Sequence, residues 1–264
     1  MRNIRNSDPR RRLIFALDVG GSIRDAVSWV DRLKDHVGMF KVGKESFTAF
    51  GPEIVSLIRK RGGEVFLDLK FHDIPHTVSQ AAIAAGRLGV SMLNIHAMGG
   101  RKMMEETVAA VKKWTEERGE DMPLILAVTV LTSLSDDDLK VIGFGVPAHD
   151  LALRLARLAH DAGISGVVCS PIDIPEIRES CGDNFIIVAP GIRGAREVRD
   201  DDQKRVMTAA DALAMGADYI VVGRPIRMAP DPEHEADEIV REIARGLAMR
   251  GNAASESARV VTCK

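Results

Sequence analysis

Eight short apolar runs, separated by helical or polar segments, constrain the fold of this chain more than any other feature. Most of them are continuously apolar before their last residues, which is typical of parallel strands covered on both faces. The runs are LIFALDV (13–19), MFKVG (39–43), EVFLDLK (64–70), MLNIH (92–96), LILAVTV (124–130), GVVCS (166–170), FIIVAP (185–190) and YIVVGR (219–224).

Helical patterns lie between these runs, most clearly in residues 22–37, 76–88, 101–119, 148–163 and 204–217. Alternating strands and helices form parallel sheets with right-handed crossovers, and eight repeats suit a closed barrel better than an open sheet. The sequence therefore predicts an α/β fold with a single (β/α)8 TIM barrel. We expect an N-terminal arm (1–12), the barrel (13–250) and a loosely held polar C-terminal tail (251–264) that forms no helix of its own.

Charge and composition argue against several kinds of partner. Lys plus Arg number 36 and Asp plus Glu number 38, so the net charge of −2 provides no general attraction to nucleic acid or anionic lipid. The longest apolar runs are far too short to cross a bilayer. The three cysteines have no CxxC or Cys/His ligand spacing, which favours a reduced compartment. We expect a cytoplasmic protein that binds neither nucleic acid nor membranes.

Polar residues gather where the apolar runs end. Barrel enzymes place their active sites at the carboxyl ends of the strands, so this shared position predicts a site, although each residue alone is as consistent with a loop or a solvated salt bridge. The residues at this predicted rim are Asp18, Lys41, Asp68, Lys70, His96, Thr132, Ser133, Arg193, Gly223 and Arg224.

The stretch FLDLKFHDIPHT (66–77) contains the densest charge of this rim. Asp68 and Lys70 are two apart in a strand and should face the same way. With Lys41 and Asp73 they could form a chain of ion pairs that orients Lys70 as a proton donor, while the carboxylates repel an anionic group of a substrate. The alternative is a salt-bridge network that ties the third strand to its neighbours, although buried ion pairs stabilise proteins weakly.

Two arginine-containing segments predict a phosphate site on the other side of the rim. GRPI (223–226) follows the eighth strand and GIRG (191–194) follows the seventh, the loops that bind phosphate in many barrels. Each segment alone is a weak motif that fits a surface arginine better, and it is the two together that predict a phosphate site.

We expect no metal site and no cofactor. His72 and His76 have a spacing that can bind zinc on one helix, but Pro75 lies between them and no third ligand is evident. The sequence contains neither a GxxxxGK[ST] phosphate loop nor a GxGxxG segment after a strand, so nothing indicates ATP or a dinucleotide.

A set of motifs in order along the chain resembles the orotidine 5'-phosphate decarboxylase family. The motifs extend from about Ile14 to Ile226 and are ALD, KVG, DLKFHDIP, VTVLTS, PGIR, DQKRVMT and VVGRPI. The resemblance implies decarboxylation of orotidine 5'-phosphate to UMP and CO2 without a cofactor, the last step of de novo pyrimidine synthesis. It also implies a homodimer with shared active sites.

The resemblance assigns a role to each matching residue. It makes Lys70 the proton donor to C6 of the pyrimidine, flanked by Asp68 and Asp73, with Lys41 in the same network and near the ribose. Asp18 also lies near the sugar, while Asp73, Ile74 and Thr77 reach the partner's site. Thr132 and Ser133 match the pyrimidine side, and the phosphate side is matched by Arg193, Gln203, Gly223 and Arg224.

Two departures and two alternatives accompany this resemblance. His76 stands where the family often has Asn, at the expected dimer edge, and the loop before Gln203 is highly charged.

The metal-dependent branch of the same suprafamily needs a carboxylate where the second strand has Lys41, and a cation there would repel Mg²⁺. A nucleotide-binding protein without catalysis would not require the costly charge cluster of Asp68, Lys70 and Asp73.

Overall fold

The computed structural model describes residues 8–192 and 207–261, which form a closed barrel of eight parallel strands. Each strand pairs with its sequence neighbours, and the barrel closes where Leu13 lies opposite Ile220. The predicted TIM barrel is therefore confirmed. The strands are β1 (Leu13–Ala16), β2 (Met39–Gly43), β3 (Val65–Phe71), β4 (Met92–His96), β5 (Leu124–Val128), β6 (Gly166–Val168), β7 (Ile186–Pro190) and β8 (Tyr219–Val222).

Helices connect the strands and cover the outside of the barrel. They are α1 (Ile23–Leu33), α2 (Lys44–Phe50), α3 (Glu53–Lys60), α4 (Pro75–Arg87), α5 (Gly100–Glu116), α6 (Asp136–Ile142), α7 (Ala148–Asp161), α8 (Ile174–Cys181), α9 (Ala209–Met215), α10 (Arg224–Arg227) and α11 (Pro232–Val261). Within residues 8–192 and 207–261, none of these helices is both long enough and apolar enough to span a membrane.

The strands divide their side chains between two separate cores. Ile14, Met39, Phe66 and Met92 belong to the cluster that fills the barrel interior. Their neighbours along each strand, such as Phe40, pack outward against the helices in a second, larger cluster. Because side chains alternate along a strand, the residues two positions after each interior residue also face inward, at the carboxyl end of the barrel.

The end of the chain differs from the prediction. The helix that begins at Pro232 continues to Val261, so the segment from Gly251 extends an existing helix instead of forming a loose tail. Gly251 costs about 1 kcal/mol relative to alanine inside a helix, and the alanines, glutamate and arginine that follow favour helix. A helix that is already formed needs no new nucleation to continue through such residues.

Candidate active site

Four charged residues continue the inward-facing rows of the first three strands. Asp18 lies two residues after Ala16 of β1, Lys41 two residues after Met39 of β2, and Asp68 and Lys70 follow Phe66 in β3. The strand register places Lys41 opposite Ala16 and Phe66, and Gly43 opposite Asp68. The four side chains therefore meet directly above the apolar interior, at the carboxyl end of the barrel.

Asp68 is the centre of this charged cluster. Its Oδ1 accepts a hydrogen bond from Nζ of Lys70 at 2.6 Å, and its Oδ2 lies 3.4 Å from Nζ of Lys41. The Lys41 ammonium in turn donates to Oδ1 of Asp18 at 2.9 Å. The Asp68 and Lys41 side chains are each 11% exposed, so these charges are largely shielded from water and interact more strongly than surface pairs.

The backbone of β3 changes conformation at Lys70. Leu67 pairs with Leu93, but the next partner pair is Phe71 with Ile95, so four residues of β3 span two of β4. Among the described residues other than glycine, Lys70 alone has a positive φ, 52°. A left-handed non-glycine residue costs about 1–2 kcal/mol, and such residues concentrate at functional sites. The bulge thus aims the Lys70 side chain back toward Asp68.

Asn94 of β4 completes the cluster and was missed by the sequence analysis. Its side chain is fully buried. The amide oxygen accepts a hydrogen bond from the backbone N–H of Lys70 at 2.8 Å, and the amide nitrogen donates to Oδ1 of Asp68 at 2.7 Å. The signal that could have revealed it is an asparagine at an inward position of an otherwise apolar strand.

Asp73 does not join the ion pairs of this cluster. The predicted chain of four charges is present for Lys41, Asp68 and Lys70, whereas the Asp73 carboxylate is exposed and accepts the backbone N–H of Ile74 at 2.6 Å. Ile74 is 66% exposed, and Thr77 is also exposed in the first turn of α4. This helix begins at Pro75, so His72 and His76 do not share a continuous helix, as expected.

Contacts from two distant segments hold the loop that carries Asp18. The buried Ser46 hydroxyl of α2 donates to the carbonyl of Leu17 at 2.5 Å and accepts the N–H of Val19 at 3.3 Å. From the opposite end of the chain, the guanidinium of Arg227 donates to the carbonyl of Asp18. Neither Ser46 nor Arg227 was among the predicted site residues. Together they fix the backbone on both sides of the carboxylate that pairs with Lys41.

The remaining predicted residues lie around the same rim. Gly223 separates β8 from the four-residue α10, and Arg224 begins that helix with an exposed side chain. Thr132 and Ser133 form an exposed turn after β5. Arg193 and Gln203 lie outside the described residues, so of the four predicted phosphate residues the structure describes Gly223 and Arg224.

His96 is at the end of β4, on the same inward row as Asn94. Its Nδ1 is buried and has no hydrogen-bond partner among the described residues, and its ring lies 5.3 Å from that of His72. Burial lowers the pKa of His96 to about 4, with the positive charges of Lys44 and Lys70 acting in the same direction. The imidazole is therefore neutral at neutral pH and adds no charge to the cluster.

The neutral His96 predicts a loss of stability in acid. Between pH 6.5 and about 4 the unfolded chain binds a proton that the folded chain excludes, so the free energy of unfolding falls as the pH falls. The loss is complete once the pH lies below the folded-state pKa of about 4. Denaturant unfolding at several pH values should show that His96→Gln removes this part of the slope. The matched surface variant His234→Gln should retain it, and equal slopes for the parent and His96→Gln would contradict the prediction.

Residues 8–192 and 207–252 contain no group of three His, Cys, Asp or Glu side chains placed so that they could hold a metal ion.

A parallel barrel with ionised side chains buried at the carboxyl ends of its strands has the architecture of a barrel enzyme. Comparison with known proteins identifies the family to which this barrel enzyme belongs. The model of the orotidine 5'-phosphate decarboxylase / HUMPS family matches residues 11–239, and the chain belongs to this family.

Individual relatives extend over nearly the whole chain. A protein of Syntrophus aciditrophicus named orotidine 5'-phosphate decarboxylase is 58% identical over 245 residues, 93% of this chain and 98% of the relative. One of the same name from Geotalea daltonii is 51% identical over 239 residues, 90% of this chain and 98% of the relative. The crystal structure of the Lactobacillus acidophilus enzyme covers 88% of this chain and 99% of its own, with a TM-score of 0.78 and 36% identity. The similarity to these relatives identifies this chain as a carboxy-lyase.

Proposed function

We propose that the protein converts orotidine 5'-phosphate to UMP and CO2 without a cofactor. The observation that carries the proposal is the position of the Lys70 ammonium, 2.6 Å from a largely buried Asp68 carboxylate at the barrel mouth. The relatives at 51–58% identity, which bear the name of this reaction, support the choice of substrate.

The reaction needs a proton at the carbon that loses CO2. When the bond between C6 and the carboxylate breaks, its electron pair remains on C6, and Nζ–H of Lys70 donates a proton there to give UMP. The neutral amine then regains a proton from solvent. Asp68 holds Lys70 in place and, as a fixed negative charge near the substrate carboxylate, favours its departure as neutral CO2. Asp73 of the partner subunit adds a second carboxylate.

The other rim residues bind the parts of the substrate that do not react. Lys41 and Asp18 contact the ribose, Thr132 and Ser133 the pyrimidine, and the phosphate is bound on the opposite side of the rim. Binding of the phosphate supplies the free energy that offsets the repulsion between carboxylates. The phosphate residues are Arg193, Gln203, Gly223 and Arg224.

We propose a cytoplasmic homodimer in which each subunit completes its partner's site. The exposed Asp73, Ile74 and Thr77 support this arrangement, because an isoleucine that is 66% exposed next to the catalytic strand favours burial against a second copy. His76 lies on the same exposed turn of α4 and would contact that edge.

The metal-dependent reaction of the same family is the second candidate. A metal at this rim would require free carboxylate ligands, whereas Asp18 and Asp68 each lie within 3.4 Å of the Lys41 ammonium. The ammonium repels a divalent cation and occupies the same carboxylate oxygens. The arrangement therefore favours decarboxylation without a metal.

The test is the absorbance change of orotidine 5'-phosphate with purified protein in excess EDTA. Rapid conversion that is indifferent to the chelator supports the proposal. Tight UMP binding without conversion would indicate a nucleotide-binding protein, and turnover of a sugar phosphate that requires added Mg²⁺ would indicate the metal-dependent branch.

Gly43 gives a prediction on the ribose side of the site. A Cβ at this position would lie 2.9 Å from Nζ of Lys41 and 3.1 Å from Oδ1 of Asp18, so Gly43→Ala must displace this ion pair. We expect kcat/KM to fall roughly 10- to 100-fold, because small displacements of positioning groups are costly. Steady-state kinetics beside Gly145→Ala, where a Cβ meets nothing within 4 Å, provide the check. Equal rates for both variants would contradict it.

A further inference from the structure

We propose that Asn94 is a positioning residue for the reaction, which sets both the backbone conformation of Lys70 and the orientation of the Asp68 carboxylate. The inference rests on the proposed function, since it concerns the same proton donor. Asn94 makes one hydrogen bond to each residue, at 2.8 Å to the Lys70 N–H and at 2.7 Å to the Asp68 carboxylate.

The first bond supports the left-handed conformation of Lys70. The bulge in β3 interrupts the ladder between β3 and β4 from Leu67 to Phe71, so the N–H of Lys70 needs a partner outside the regular strand pattern. The amide oxygen of Asn94 provides it from the neighbouring strand. Without this acceptor, the partly buried N–H would lose its partner in a residue whose φ of 52° is already unfavourable.

The second bond fixes the carboxylate that holds the ammonium. Oδ1 of Asp68 accepts from both Nζ of Lys70 and Nδ2 of Asn94, which leaves Oδ2 facing Lys41. Loss of the amide donor would let the carboxylate rotate about its side-chain torsion and carry Nζ of Lys70 away from the substrate carbon.

Only some side chains can form both bonds. The position needs an acceptor toward the Lys70 backbone and a donor toward Asp68, on a side chain short enough to remain fully buried in β4. An amide has both groups and no charge. A carboxylate would keep the acceptor but face Asp68 with a second negative charge, whereas a protonated carboxyl group would again supply both functions.

The difference between an ionised and a protonated carboxyl group at this position provides a test that distinguishes a positioning role from a purely structural one. In Asn94→Asp the carboxyl group must hold a proton in order to donate to Asp68, so the activity of the variant relative to the parent should rise as the pH falls. Asn94→Ala lacks both bonds at every pH and should lower kcat roughly 100-fold without such a rise. Thr107→Val, which removes a buried hydroxyl bond to the carbonyl of Met103 in α5, is the control for loss of stability alone.

The measurements are kcat and KM for orotidine 5'-phosphate across pH, UMP binding, and thermal unfolding of each variant. Folded variants that bind UMP but lose kcat, with rescue of Asn94→Asp in acid, support the inference. A pH-independent activity ratio for Asn94→Asp would overturn it, as would parent-like kcat in Asn94→Ala. An inactive parent protein would instead overturn the proposed function, so the two failures are distinguishable.

Discussion

Replacement of Lys70 by alanine should lower kcat for orotidine 5'-phosphate by at least roughly 1,000-fold, because the variant lacks the group proposed to protonate the carbon that loses CO2. UMP should still bind, since the residues proposed to contact its ribose, pyrimidine and phosphate do not include Lys70. Stopped-flow or steady-state absorbance of the substrate, with isothermal titration of UMP, would measure both quantities.

Two further variants make this expectation specific. Lys70→Arg keeps the positive charge beside Asp68 but is a far weaker proton donor, so we expect it to remain nearly inactive. Lys60→Ala removes an exposed lysine at the end of α3, remote from the rim, and should turn over like the parent. Substantial activity in Lys70→Ala would mean that another group protonates C6 and would remove Lys70 from the proposed mechanism.

Mixing two inactive variants should restore activity if the sites are shared between subunits. Asp73→Ala and Lys70→Ala homodimers each lack one group at every site. A mixed dimer contains one site with both groups intact, because Lys70 then comes from one subunit and Asp73 from the other. Random reassociation of equal amounts should therefore recover about a quarter of the parental activity.

The control for this experiment uses the same chain. Lys70→Ala mixed with the double variant Lys70→Ala/Asp73→Ala contains no complete site in any combination, so no activity should return. Sedimentation at the assay concentration establishes that mixed dimers form. Failure to recover activity from the first mixture, despite mixed dimers, would show that Asp73 acts within its own subunit or outside the reaction.

Much of this site could be predicted because the strand period and the position of the charges agree. Residues two apart in β3 had to face the same way, and the barrel carries its inward residues to one rim. Asp68, Lys70 and Lys41 were therefore expected together, and the ammonium groups of both lysines lie within 3.4 Å of the Asp68 carboxylate.

The residues that were missed depend on long-range geometry. Asn94 could not be predicted because its role depends on the bulge of β3, which leaves the Lys70 N–H without a partner in the strand ladder. That bulge has no signature in the sequence. Arg227 reaches the carbonyl of Asp18 across a separation of 209 residues. The helical extension through Val261 was missed because the polar composition after Gly251 resembles a solvated tail.

The order of the site residues along the chain has a consequence for how the enzyme can be altered. The charged cluster and Asn94 come from β1 to β4, whereas the residues proposed to grip the phosphate follow β7 and β8. In the proposed mechanism, proton donation and phosphate binding thus belong to different half-barrels, joined where β4 meets β5 and where β8 meets β1. Changes at the proposed phosphate residues can therefore alter which phosphorylated compound is bound without touching Lys70, Asp68 or Asn94, provided that Arg227, which holds the Asp18 loop from the second half, is kept.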